Sequence, residues 1–83
     1  MDKTLFIDKQ EIEDESLKQE LESICSDLQE RGYSPIKQIA GYIISGDPGY
    51  ISSFKECRSR IKKFDRTHLV EKLLSEFTKK WNT

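Results

Sequence analysis

The sequence predicts an all-α fold, a compact bundle of about four short helices, and three observations carry that prediction. Apolar residues recur at steps of three and four along most of the chain. No segment alternates strictly between apolar and polar, as a half-buried strand would. Helix stop and start signals fall between the periodic stretches. With 83 residues there is room for one domain. A core of this size supplies only about 3–5 kcal/mol, so the chain needs a disulfide, a metal or a partner. Cys25 and Cys57 lack any CxxC or Cys/His spacing, which argues against the first two and makes both reduced, buried thiols. A second copy of the chain remains, and a homodimer is expected.

The first dozen residues mix charges with only Leu5, Phe6, Ile7 and Ile12, and residues 1–13 read as a flexible acidic arm ahead of a single helical domain, 14–83. From Asp14 onward Leu17, Leu21, Ile24, Cys25 and Leu28 form one helical stripe, with Glu20, Glu22, Asp27 and Glu30 turned away. Gly32 supplies the stop, so the first helix is expected over about 14–31. Ser34 can cap a second helix whose first position is Pro35 and whose apolar face is Ile36, Ile39, Ala40, Ile43 and Ile44, ending near 45. Gly41 inside it costs about 1 kcal/mol relative to alanine. That loss points to a close backbone approach by another element, of this chain or of a second copy.

The stretch "SGDPG" reads as a corner. Gly46 can end one helix in the left-handed conformation, Asp47 can cap the next, and Pro48 can open it. A third helix is then expected to carry Tyr50, Phe54, Cys57, Ile61 and Phe64 on one stripe. Asp65 caps a fourth helix over about 66–81, with Leu69, Val70, Leu73, Leu74, Phe77 and Trp81.

Catalytic readings fail on chemistry. The corner lacks the lysine and spaced glycines of a phosphate loop and offers an anion a carboxylate instead. Ser45 has no elbow motif, and the single histidine, His68, falls in a different helix. No enzyme, metal or cofactor is expected. No apolar run approaches the roughly 20 residues of a membrane span, and the acidic start is unlike a targeting peptide, so a cytoplasmic protein is expected.

Charge is strongly asymmetric. Residues 1–30 carry ten acids against three bases, whereas residues 54–83 carry nine bases against four acids. Such halves attract each other within or between chains, or the basic half meets an external anion. Arg58, Arg60 and Arg66 are the candidates for docking an anion or the acidic arm. Nucleic acid is the alternative partner, disfavoured by an acidic overall balance and the lack of a groove-reading motif. Tyr33, Tyr42 and Tyr50 cluster with Gly41 near the corner, which makes the second and third helices the expected dimer interface.

The stretch "GYSPIKQIAGYIISGDPGYI", residues 32–51, resembles the signature of the IreB family. The matching positions are Gly32, Tyr33, Pro35, Ile36, Gln38, Gly41, Tyr42, Ser45, Gly46, Asp47, Pro48, Tyr50 and Ile51, with a looser likeness through Arg58, Ile61, Lys63 and Arg66. The resemblance implies a homodimeric regulator without catalytic activity, a substrate of a membrane Ser/Thr kinase with extracellular PASTA domains and of its cognate phosphatase. It implies restraint of the cell-wall stress response behind intrinsic cephalosporin resistance, through an unknown downstream protein. The family's phosphoacceptors lie in the N-terminal arm, after an acid and before a phenylalanine. Thr4, between Asp2 and Phe6, is the position onto which that role carries over.

Overall fold

Residues 9–81 are described by a computed structural model, with side chains for 13–79 and 81. The described residues are helices and turns: α1 (Lys9–Glu30), α2 (Pro35–Ser45), α3 (Cys57–Ile61) and α4 (Arg66–Phe77). Single 3₁₀ turns stand at Pro48–Tyr50, Phe54–Glu56 and Lys79–Trp81. The first helix therefore starts at Lys9, ahead of the expected 14, so residues 9–13, read as arm, are helical. Lys, Gln and Glu in that stretch favour helix without needing an apolar stripe. Thr4 and the rest of the proposed arm, 1–8, lie outside the described residues.

α1 is the spine against which the other elements pack. Leu17, Ile24 and Leu28 of its stripe are wholly buried and Leu21 nearly so, as the periodicity predicts. Burial of each such side chain contributes about 1.5–3 kcal/mol. The helix ends in a double hydrogen bond: Tyr33 N–H donates to Leu28 C=O and Gly32 N–H to Gln29 C=O, with Gly32 at φ +90°. That pattern needs a left-handed residue, hence glycine. Ser34 caps α2 through Lys37 N–H, and Gly46 at φ +75° ends it.

The third helix departs from expectation. In place of one helix from Pro48 to Phe64 there are two 3₁₀ turns, an extended Ile51, and the five-residue α3. The reason is burial: Ile51 is as buried as Cys57 and Ile61, yet in one helix it would lie roughly 100° from Tyr50 and off their stripe. The chain breaks helix to bring Ile51 inward and leaves Tyr50 half exposed. The break passes through two left-handed residues, Lys55 at φ 49° and Glu56 at φ 63°. Asp65 caps α4 as expected, accepting from His68 N–H, but α4 runs only to Phe77 and buries only Leu69 completely.

Candidate functional site

Two surfaces organise the molecule's outside, a corner flanked by arginines and an apolar face. The corner is built by backbone needs. Ser45 Oγ donates to Gly41 C=O and accepts from Asp47 N–H, and the Asp47 carboxylate accepts from Gly49 N–H at 2.8 Å. Pro48 opens the turn that Asp47 caps. Gly46, Asp47 and Pro48 thus take their expected roles, although the element they start is one 3₁₀ turn. Gln38 Oε1 accepts from Ser52 N–H, tying α2 to the extended segment beyond the corner.

The three arginines singled out for docking separate into two kinds. Arg60 faces inward: Nε reaches Glu20 at 2.6 Å, Nη1 reaches Asp27 at 2.7 Å and Lys55 C=O at 2.9 Å, and Nη2 reaches Ser23 at 2.8 Å. It joins α1 to α3 and holds the left-handed turn, so it is not an open anion site. Its hydrogen bond to Asp27, and next Glu20, raise its affinity for its proton further against the opposing burial. Glu20 and Asp27, expected to turn away, instead flank the buried stripe as its partners. Lys55 likewise bridges to Glu30 at 3.0 Å. The acidic front and basic back therefore meet within one chain.

Arg58 and Arg66 stay exposed and bracket the corner. Arg66 Nη1 donates to Ile43 C=O at 2.8 Å, near the end of α2, where a cation is favoured. Its guanidinium lies over Gly46 so closely that an added Cβ would sit 3.0 Å from it. Arg58 Nε is shared between Ile51 C=O at 2.9 Å and Pro48 C=O at 3.2 Å.

Gly41 and the tyrosines, read as an interface, are used inside the chain. A Cβ at Gly41 would meet Tyr50 Cδ1 at 2.5 Å, so the close approach comes from the chain's own ring. Tyr42 is a core residue, 6% exposed, and cannot face a partner. Tyr33 and Tyr50 remain partly open. Among the described residues the uncovered apolar surface lies elsewhere, on α2, on α4 and on the turn Lys79–Trp81. Ile36 is 81% and Ile44 84% exposed, and Leu74, Phe77 and Trp81 all exceed half. Phe77 and Trp81 pack edge to face, with ring centroids 5.5 Å apart. A groove lined by Ile36, Ile39, Ala40, Ile43, Leu73 and Cys25 joins the two helices. Periodicity shows which residues are apolar, but α2 carries two apolar stripes, and only packing tells which one α1 covers.

Burial pushes the thiols of Cys25 and Cys57 up, which keeps them protonated and unreactive at neutral pH. No group of three His, Cys, Asp or Glu among the described residues is placed to hold a metal. None of the described helices is long and apolar enough to cross a membrane. A protein-family model matches residues 2–79, and its description is IreB regulatory phosphoprotein.

Proposed function

The chain belongs to the IreB regulatory phosphoprotein family, and from that premise we propose that it is a non-enzymatic, cytoplasmic, homodimeric regulator switched by phosphorylation of Thr4. The match carries this reading, because it extends over residues 2–79 and so includes Thr4 in the family's region. A Ser/Thr kinase and a cognate phosphatase set the modification, and the output is restraint of the cell-wall stress response that underlies cephalosporin resistance. Phosphate adds about −1.5 to −2 charges and three acceptor oxygens to an acidic segment, a change large enough to alter what that segment binds.

The dimer is supported by the uncovered face on α2 and α4 rather than by the tyrosines. Contiguous apolar patches beyond a few hundred Å² are rare on monomers, and two-fold pairing covers one most simply. Nucleic acid loses ground as a partner, since Arg60 and Lys55 of the basic half are neutralised by Glu20, Asp27 and Glu30. Incubation with the host's PASTA-domain kinase followed by mass mapping tests the central point. Phosphate at Thr4 is expected; modification solely at Thr67 or Thr78, or none, removes the proposal.

A further inference from the structure

Resting on the reading of Thr4 as the phosphoacceptor, we propose that the phosphorylated N-terminal segment docks on its own chain, its phosphate held by the outward edges of Arg66 and Arg58 at the corner Gly46–Ile51. Among the described residues both arginines are anchored by one edge. Arg66 uses Nη1 on Ile43 C=O, which leaves the Nε–Nη2 edge without a hydrogen bond among the described residues. Arg58 uses Nε on Pro48 and Ile51 C=O, which leaves the Nη1–Nη2 edge. Each edge is a ready bidentate donor for a phosphate, oriented in advance by the bond behind it. Arg60 is excluded because all three of its nitrogens are engaged.

Position favours the chain's own segment as the occupant. The beginning of α1 lies against the start of α4: Asp14 pairs with His68 at 2.7 Å, and Glu13 and Ser16 line one groove with Lys63, Phe64, Asp65 and His68. Asp65 also lines the adjacent groove with Ile43, Arg66 and Glu71. Asp14 is therefore one groove away from Arg66, and the root of the segment, at Lys9, lies five residues, about 7.5 Å of helix, beyond it. Thr4 is five residues ahead of Lys9, where α1 begins. At 3.3–3.6 Å per residue that is a reach of roughly 17 Å.

Acids near the corner make the docking conditional. Asp47, Asp65 and Glu71 share this surface with Arg66, and the carboxylates of Asp47 and Asp65 already accept from backbone N–H groups. They offset part of the arginines' pull, and the unmodified segment, with Lys3 against Asp2 and Asp8, has little net charge for the remainder to hold. A phosphate brings the extra charge and the paired oxygens that two arginines require.

The test uses the full chain carrying phosphothreonine at position 4, installed by ligation so that the result is independent of any kinase. Failure of the kinase to modify Thr4 would then count against the functional reading alone. Relative to unmodified chain, amide shifts are expected at Gly46, Asp47 and Gly49 and at Arg66 Nε–H, unchanged on tenfold dilution. The ³¹P titration midpoint should fall by about half a unit or more below that of a phosphopeptide covering residues 1–13, since a cation beside the phosphate favours its dianion. Arg58→Gln and Arg66→Gln should each remove most of both effects. Arg66→Lys, which keeps the charge over Gly46, should remove part and guards against loss of the corner itself. Shifts confined to residues 1–13 with an unmoved ³¹P midpoint would overturn the proposal. So would effects that fade on dilution, which would assign the segment to another molecule.

Discussion

Gly41 shows how one missing methyl group is decided by a neighbour. Alanine there would gain about 1 kcal/mol of helix propensity but overpack against the base of the Tyr50 ring, a cost of about 1–3 kcal/mol. Gly41→Ala is expected to destabilise the wild-type chain and to stabilise a Tyr50→Ala background, a sign change that a denaturant double-mutant cycle reads directly. Arg60 sits at the other extreme, with four side-chain and backbone partners. Its side chain and that of Asp27 are each 18% exposed, so solvent still screens the pairs. Arg60→Ala should cost about 2–3 kcal/mol in denaturant unfolding, below the range for a fully buried pair. The thiols add a pH dependence. Burial, the leading cause, raises the folded pKa of both Cys25 and Cys57. The unfolded chain therefore releases these protons first as pH climbs. Stability is fully present below about pH 8.5 and lost as pH rises through the raised folded values. Replacing Cys57 by alanine should flatten that alkaline decline, measured as midpoint against pH.

At the scale of elements, the broken third helix stores strain that can be released. A non-glycine residue in the left-handed region costs about 1–2 kcal/mol. Glu56 holds φ 63° and its carboxylate bonds only Ser59 at 3.2 Å among the described residues. Glu56→Gly should raise thermal stability, equivalent to about 0.5–1 kcal/mol. A fall would show that the turn is held by more than the Arg60 bond to Lys55 C=O. The caps offer a companion measurement. The Asp47 and Asp65 side chains each accept a backbone N–H bond at the start of an element, and removing either side chain should cost about 1 kcal/mol. Gly46→Val should cost more than Asp47→Ala, because it forces a branched side chain to φ +75° and against the Arg66 guanidinium.

For the whole molecule, the question is what covers α2 and α4. Ile44 and Leu74 are exposed in the single chain, so a charge at either should leave the monomer folded. If a second copy covers that face, the wild-type chain sediments as a dimer at tens of micromolar, a concentration at which even a weak pair assembles. Ile44→Asp and Leu74→Asp should then run as folded monomers with unchanged helical circular dichroism. A wild-type monomer at that concentration would refute the dimer, and a dimer indifferent to both substitutions would place the contact on another face.

Local signals were legible in the sequence because they act within a few residues. The α1 stripe, the Gly32 and Gly46 stops, and the caps at Ser34, Asp47 and Asp65 all depend on spacing and on backbone groups at most four positions away. The signature from Gly32 to Ile51 also carried the family. Long-range choices were decided only by the tertiary structure. Packing on α1 selected which of two apolar stripes on α2 is core, drew Ile51 inward at the expense of a continuous third helix, and turned Arg60 onto Glu20 and Asp27. Residues 33 to 40 positions apart in the chain form those ion pairs, and no periodicity in a single helix encodes them. The same cause divides the basic run: Arg60 became an internal tie because α1 presents two carboxylates to it, whereas among the described residues Arg58 and Arg66 donate to backbone carbonyls and keep an edge open.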